Sequence, residues 1–314
     1  MYKKLSVGVA VPAYNEEKLI EKTLSTMPAI VDCIVVINDC STDNTLSIIK
    51  KLQKNDSRIH IINNKINQGI GYSLTHGLKK AADLGCDRVA VMAGDAQMDP
   101  KYLVPMLDSM EKRGLDFIKA NRFMHFEALK TMPKHRRFGN IIVTILTKFA
   151  TGYYSIFDTQ NGYVIYTQDV IKRMPWHIIG SRYEFENTIL IGLSIIDAKI
   201  GDIAIPALYD AETSTINLFS TTMRVLKCLF IGFWQRIYYK YVLYGFHPIA
   251  LFLFTGLVLL AAGTFGGIWI IAERTIYSTS PTSGTIMLSV LPIILGVQLL
   301  LTALVMDVIE EKRS

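Results

Sequence analysis

The sequence predicts an α/β fold. A mostly parallel sheet with helices on both faces occupies residues 1–215, interfacial amphipathic helices follow over 216–246, and a two-helix transmembrane region fills 247–314. Three observations predict this. Strand-like and helix-like patterns alternate four times between residues 5 and 92, as successive βα units do. The apolar surplus of a chain that is 50% hydrophobic collects at one end, where residues 248–272 and 275–306 carry no charge. Each of these holds the run of about 20 apolar residues that crosses a bilayer, and the spans themselves are expected at about 248–272 and 285–306. Finally, segment 89–100, VAVMAGDAQMDP, runs from an apolar strand into Asp95, Gln97 and Asp99 at alternate positions, a set of oxygen ligands at a strand's carboxyl end.

Element by element, residues 5–11 read as the first strand, and 16–27 as a helix with Leu19, Ile20 and Leu24 on one face. Residues 33–37 are the second strand. Ser41 or Asp43 then caps a helix to about Leu52, 59–62 form a third strand, and 69–84 a third helix leading into the strand at 89. Pro100 opens a further helix, 117–120 is the next strand and 203–206 the closing one. Such sheets bind ligands beyond the carboxyl ends of their strands, so the loops there decide which ligand it is.

Those loops exclude two phosphate-binding classes. A dinucleotide-binding fold places Gly-x-Gly-x-x-Gly straight after the first strand, and Pro12-Ala13-Tyr14-Asn15-Glu16-Glu17 stands there instead. Gly69-Ile70-Gly71 follows the third strand, with Leu74 in place of the last glycine; its glycines permit a tight turn into the helix. A Walker-type P-loop is absent from the sequence.

What the loops do resemble is the nucleotide-sugar-binding half of a family 2 glycosyltransferase with the GT-A fold. Residues 7–17, VGVAVPAYNEE, are similar to that family's opening segment, 35–45, VVINDCSTDNT, to its second, and Asn67-Gln68-Gly69 to its third. The Asp95 segment resembles its metal-binding Asp-x-Asp-x-Gln, with Ala93 where the first aspartate usually stands. The resemblance implies that Pro12, Tyr14, Glu16 and Asp39 hold the base and ribose of a nucleoside diphosphate sugar, GDP- or UDP-linked. It assigns Asp95 and Gln97 to the donor diphosphate and its metal, Mg²⁺ or Mn²⁺. Read from the residues alone, Pro12 is equally a strand terminator, and Asp39 and Asp43 are turn or cap residues.

The resemblance narrows to the branch that glycosylates polyprenyl phosphates, similar to dolichyl-phosphate mannose synthases. Ala120-Asn121-Arg122 corresponds to its Gly-Ser-Arg, and Asp158-Thr159-Gln160-Asn161-Gly162-Tyr163 to its Asp-x-x-Ser/Asn-Gly-Phe/Tyr. The family usually places arginine after that aromatic, and here Val164 follows. From Ala128 to Phe157 there is no carboxylate, while Lys130, Lys134, Arg136, Arg137 and Lys148 are basic, so an anionic partner is implied. Arg122, Arg136, Arg137 and Asn140 are the expected acceptor-phosphate ligands. Asp158 is assigned to the reacting centre with Asp95, as orienter or weak base, or else as the Asx turn before Gly162. The helix through this segment carries Arg137, Asn140, Thr144 and Lys148 on one side and Phe138, Ile141, Ile142, Ile145 and Phe149 on the other. Its apolar side faces the sheet or the bilayer surface. Many relatives hold a basic residue over the diphosphate where this chain reads Tyr-Asp-Ala-Glu-Thr-Ser-Thr-Ile over 209–216, so that contact is missing or comes from elsewhere.

Residues 218–244 mix aromatics with four basic residues, the composition of a helix pair at the headgroup level, with Gly232 as its break; the alternative is a cytosolic helix packed on the catalytic domain. Residues 1–4 lead into a strand-like run rather than a cleavable apolar segment, so the amino-terminal domain is expected in the cytosol. Arg224, Lys227, Arg236 and Lys240 precede the first span and Lys312 and Arg313 follow the second, against Arg274 alone between them, so both termini are expected on the cytoplasmic side of the cell membrane. Cys33, Cys40, Cys86 and Cys228 make no Cys-x-x-Cys pair or zinc spacing, which fits a reducing compartment.

The expectation is therefore an inverting, multi-pass membrane glycosyltransferase that moves one sugar from a nucleoside diphosphate to a polyprenyl phosphate, with no nucleic-acid partner. Two rivals stay open. A processive polysaccharide synthase shares the donor half but adds a Gln-x-x-Arg-Trp motif and more spans. A catalytically silent membrane scaffold is suggested by Ala93, Val164 and the acidic 209–216 loop.

Overall fold

The first four strands form where the apolar runs predict them: β1 (Val7–Ala13), β2 (Cys33–Asn38), β3 (Ile59–Asn63) and β4 (Arg88–Val91). Every residue of β1 and β2 is buried, as in strands covered on both faces. The connecting helices are α1 (Ile20–Ser25), α2 (Thr45–Gln53) and α3 (Ile70–Asp83). A 3₁₀ turn at Pro100–Tyr102 then leads into α4 (Leu103–Arg113), with Asp99 capping it by accepting the Lys101 amide at 3.0 Å. After β5 (Phe117–Asn121) come α5 (Lys134–Thr151), β6 (Val164–Thr167), α6 (Gln168–Arg173), α7 (Phe185–Ile195) and β7 (Ile200–Ala204). This computed structural model describes the chain except residues 123–133, 160, 183, 206–217, 244, 246, 279 and 314, and the side chains of 134–141, 218–222, 312 and 313.

Among the described residues the strands make one sheet in the order β3-β2-β1-β4-β6-β5-β7. All neighbours are parallel except β6, which runs antiparallel to both β4 and β5. The sheet is mostly parallel, as expected, but β6 is an addition: its four residues VIYT show no alternation and sit directly behind a turn motif. The closing strand lies at Ile200–Ala204 rather than 203–206, because pairing with β5 sets Ile200 opposite Phe117 and Ala204 opposite Asn121. One face of the sheet packs against α1, α2 and α4, through residues such as Val9, Ile49 and Leu107. The other packs against α3 and α7, through Ala10, Leu78 and Leu190. Strand order reverses between β1 and β4, which opens a crevice at their carboxyl ends.

The α1 helix begins at Ile20, four residues after the expected start. The amides that would open it are captured by the loop after β2: Glu16 N–H donates to Thr45 Oγ1 at 2.8 Å and Glu17 N–H to Asp43 Oδ2 at 3.1 Å. Gly232 does not break its helix either. It lies inside α8 (Leu218–Arg236), where a Cβ would stand 2.1 Å from Ile191 Cδ1, so the glycine admits the α7 side chain.

The compact units divide at Phe233/Trp234, within α8. In the second unit α8 runs into a π-helical turn, Ile237–Leu243, followed by α9 (Pro248–Tyr277) and α10 (Ser283–Arg313). Both α9 and α10 are long and apolar enough to cross a membrane. Gly263 lets them approach closely: a Cβ there would meet the Ser289 carbonyl oxygen at 2.7 Å. Phe265, Ile268 and Trp269 stay more than 60% exposed on the outside of the pair. The Arg236 guanidinium, read from sequence as a flanking cation, is instead buried against Asp307, at 2.7 and 3.0 Å, and Tyr241 donates to the same carboxylate at 2.5 Å. The widened π turn brings Arg236 and Tyr241, five residues apart, to one partner.

Candidate active site

The crevice between β1 and β4 is a groove of about 460 Å³. Pro12, Tyr14, Glu16, Asp39 and Asp95 all line it. Gln97 does not: it is exposed, with its amide donating to Asp95 Oδ1 at 3.1 Å. The loops that form the rim are bent by left-handed residues that are not glycine, Asn15 (φ 58°), Cys40 (φ 61°) and Ala96 (φ 55°), one after each of β1, β2 and β4. Each such residue costs about 1–2 kcal/mol relative to an ordinary conformation. Hydrogen bonds hold the first of them: Asn15 Oδ1 accepts the Thr42 amide at 2.9 Å, and Asn15 N–H donates to Ser41 Oγ at 3.0 Å.

Asp39 is buried and shapes the opposite wall. Its Oδ1 accepts from Asn64 Nδ2 (2.7 Å) and the Gln68 amide (3.0 Å), and its Oδ2 from the Gly69 amide (2.8 Å). A carboxylate offers about four lone-pair sites, so one remains for a ligand. The sequence motif Asn67-Gln68-Gly69 is therefore the segment that Asp39 positions. Gly69 (φ 93°) and Gly71 do more than turn the chain. A Cβ on Gly71 would lie 2.3 Å from the Gly180 carbonyl oxygen, so this glycine lets segment 180–182 close over the helix start, where Tyr72 N–H donates to Ser181 O at 3.1 Å. That contact carries the exposed Arg182, which opens the segment resembling the family's closing helix and had no expected site role, to the groove.

For a cation, the donor set is partial. Among the described residues no three His, Cys, Asp or Glu side chains cluster. Asp95 presents its carboxylate in the groove from the Ala96-bent loop, with Glu16 and Asp39 on the neighbouring loops and Gln97 two residues on, outside the lining. Hard oxygen donors in that number fit Mg²⁺ or Mn²⁺ held jointly by a substrate diphosphate and water.

A second cavity, about 330 Å³, adjoins the groove, and Pro12, Ile70, Ala93 and Arg182 line both. Its polar groups include Lys119, on β5, and Glu186, on the first turn of α7. Lys119 is 2% exposed and its Nζ donates to the Asn161 carbonyl oxygen. Burial lowers the Lys119 ammonium from its ordinary range, opposed by the carboxylates of Glu186 and Asp158; burial likewise raises Glu186, opposed by Lys119. Glu186 belongs to the segment 182–186 that resembles the family's closing helix, but the sequence assigns no site role to it or to Lys119, a lysine inside a strand with no motif around it.

Asp158 and Arg122 meet. Asp158 Oδ2 accepts from Arg122 Nε (2.8 Å) and from its backbone amide (3.0 Å), while Oδ1 accepts from NH2 (3.1 Å). Asn161 forms an Asx turn across Gly162, its Oδ1 accepting the Tyr163 amide at 3.0 Å. Gly162 leaves room for Met98 Cε, 3.2 Å from where its Cβ would be. The side chains of Arg136, Arg137 and Asn140, and the whole 209–216 loop, lie outside the described residues. Farther along α5, Thr147, Ala150 and Thr151 are buried while Ile142, Ile145, Leu146 and Phe149 are exposed. The expected apolar stripe thus points outward over its described part. Lys148 donates to the Tyr154 carbonyl at 2.5 Å and sits 3.7 Å from the centre of the exposed Phe157 ring.

With this geometry in place, the chain can be set beside known proteins. A family model described as glycosyl transferase family 2 matches residues 8–174. The chain is 27% identical to the UDP-N-acetylglucosamine–dolichyl-phosphate N-acetylglucosaminyltransferase of Methanococcus voltae, over 65% of this chain and 86% of that one. It is 25% identical to the dodecaprenyl-phosphate galacturonate synthase of Rhizobium johnstonii, over 74% and 68%. Among solved structures, glucosyl-3-phosphoglycerate synthase from Mycobacterium tuberculosis, in complex with Mn²⁺, UDP and glucosyl-3-phosphoglycerate, aligns with a TM-score of 0.56 at 17% identity, covering 73% of this chain and 80% of that one. That likeness is one of fold, the GT-A fold expected from the sequence.

Proposed function

Because the chain belongs to glycosyl transferase family 2 and is a glycosyltransferase, we propose that it transfers one sugar from a nucleoside diphosphate to a polyprenyl phosphate, with inversion, at the cytoplasmic face of a membrane. The observation that carries the reading is the convergence of Pro12, Tyr14, Glu16, Asp39 and Asp95 on one groove that opens into a second cavity. The outward apolar face of α5, the two long apolar helices and the names of the two curated relatives support a lipid acceptor. Residues 1–215 are assigned to catalysis, 216–246 to the interface and 247–314 to the bilayer.

In this reading an acceptor phosphate oxygen attacks the anomeric carbon, and the bond from that carbon to the donor diphosphate breaks with its electron pair leaving on the diphosphate. A phosphate monoester has its second pKa near 6, so at neutral pH the acceptor is largely a dianion and needs little help from a base. Positioning then dominates. Tyr14 and Pro12 flank the base, Asp39 holds the wall beneath the ribose, and Arg182 supplies the cation that the 209–216 loop lacks. Asp158 aligns Arg122 for the acceptor phosphate, with Arg136, Arg137 and Asn140 as its further ligands. Asp95 and Gln97 would hold Mg²⁺ or Mn²⁺, which when bound offsets the charge growing on the departing diphosphate.

The test is transfer by the full chain in detergent, offered radiolabelled UDP- and GDP-sugars with polyprenyl phosphates of several lengths. Transfer to lipid, better with long chains than short, is expected. Hydrolysis of donor without transfer, growth of a polymer, or no reaction with any donor would each overturn it.

A further inference from the structure

Two departures from the family's motifs, Ala93 in place of aspartate and Val164 in place of arginine, were found far apart in sequence. In the structure both line the 330 Å³ cavity next to the donor groove. An anion and a cation are thus missing from one enclosure, which itself is lined by Lys119 and Glu186, with Arg182 at the rim it shares with the groove. Lys119 and Val164 are directly opposed across the antiparallel β5–β6 ladder, where facing side chains start about 5 Å apart. Both point into the cavity, so a cation on Lys119 serves much of the space that an arginine at 164 would serve. Above the sheet, Glu186 lines the same cavity as Ala93. Its Oε2 is buried and has no hydrogen-bond partner among the described residues, an arrangement that is costly unless a ligand completes it.

We propose that Lys119 and Glu186 are this chain's relocated charge pair: they bind hydroxyl groups of the donor's sugar and select which sugar is accepted. The inference rests on the glycosyltransferase reading above. The cavity shares Pro12, Ile70, Ala93 and Arg182 with the groove, so a sugar linked to a diphosphate in the groove enters it. A sugar hydroxyl both donates and accepts; a carboxylate only accepts and an ammonium only donates, so the two together satisfy both capacities of neighbouring hydroxyls. The pair also dictates a class. Glu186 and Lys119 already offset one another and Arg182, the other cation on the lining, is taken up by the donor diphosphate, so a sugar bearing its own carboxylate would bring a second anion beside Glu186 with no cation left to pair it. The accepted sugar is therefore neutral, a hexose or N-acetylhexosamine, and a uronic acid is rejected.

The test measures binding of UDP, GDP, UDP-glucose, UDP-N-acetylglucosamine, UDP-glucuronate and GDP-mannose to the full chain in detergent with Mg²⁺. Wild type is expected to bind one neutral sugar nucleotide at least tenfold more tightly than UDP-glucuronate. Glu186→Gln and Lys119→Met should bind the matching bare nucleotide within threefold of wild type yet lose roughly 10- to 150-fold for the preferred sugar nucleotide, the range of one charge-assisted hydrogen bond. Returning the charges to the family's positions, Lys119→Met with Val164→Arg and Glu186→Gln with Ala93→Asp, should recover at least threefold of that loss. A purely structural pair would lower the melting temperature, affect bare and sugar nucleotides alike and show no such recovery, and this result overturns the proposal. So does a preference for UDP-glucuronate. Should Lys119→Met fail to fold, the near-isosteric Glu186→Gln and its rescue decide. If wild type binds neither nucleotides nor their sugars, the glycosyltransferase reading fails and the proposal falls with it; normal binding with unaffected variants overturns the proposal alone.

Discussion

Asp158 holds Arg122 with both carboxylate oxygens, which accept from the guanidinium and from the Arg122 backbone amide, and with 1% of the Asp158 side chain exposed against 32% for Arg122, the acid is the fixed member and the guanidinium the one that faces outward. Asp158 therefore acts through Arg122. Bidentate pairs of this kind set direction as well as charge.

Removing the grip should misalign the arginine. Asp158→Asn and Arg122→Ala are each expected to lower kcat/KM for the lipid phosphate roughly 10- to 150-fold while nucleotide affinity stays within threefold. The double variant should be little worse than either single, since the residues work as a unit. Additive losses, or a loss of nucleotide affinity, would separate the two residues.

Asp95 lines the groove on the segment proposed to hold the metal, so Asp95→Ala should abolish transfer while leaving the melting temperature within a few degrees. Chelation should do the same to wild type, with recovery on adding Mg²⁺ or Mn²⁺. Isothermal titration of Mn²⁺ in the presence of UDP or GDP supplies a readout apart from activity, and cation binding unchanged in Asp95→Ala would remove the residue from the site.

The outward stripe on α5 is expected to meet lipid. In a full-length chain with Cys40 and Cys228 changed to serine, a fluorophore on Phe149→Cys should be quenched by shallow lipid nitroxides in nanodiscs. A fluorophore on Val104→Cys should not be, since α4 packs on the opposite face of the sheet. Equal quenching at the two positions, or none at 149, would mean that the stripe is covered by protein.

Acid should weaken the first unit through Asp56. Hydrogen bonds from the Arg58 side chain at 2.8–3.1 Å, opposed by burial and aided by the Arg58 amide, hold its carboxyl below the usual range, while Arg58 also ties down the carbonyls of Pro28 and Val31. A depressed folded value means that the unfolded chain takes up the proton first. The contribution is thus complete above about pH 5 and is lost as pH falls through about 4 and below. Asp56→Asn should lower stability by roughly 1 kcal/mol at pH 7, and its difference in melting temperature from wild type should shrink progressively as pH falls below about 4. A constant difference from pH 7 to 3 would mean that the carboxylate's charge contributes nothing.

Much was legible from the chain alone, and for definite reasons. Apolar runs announce strands, so β1 to β4 were readable, with β1 and β2 buried along their whole length. The residues proposed to hold the donor, Pro12, Tyr14, Glu16, Asp39 and Asp95, lie at or just past the ends of those parallel strands, where sheet geometry brings their carboxyl ends to one edge. Uncharged stretches of bilayer length identify α9 and α10 because no soluble face is left on them. Tertiary structure alone decided the rest. It added β6, whose four residues have no periodicity of their own and are strand only because β4 and β5 pair with them. It shortened α1, because amides compete for acceptors on a loop about 30 residues away. It neutralised Arg236 with Asp307 from 71 residues on. And it brought Lys119, Val164, Ala93 and Glu186 around one cavity, since cross-strand register and helix placement are relations between distant residues, which local pattern does not record.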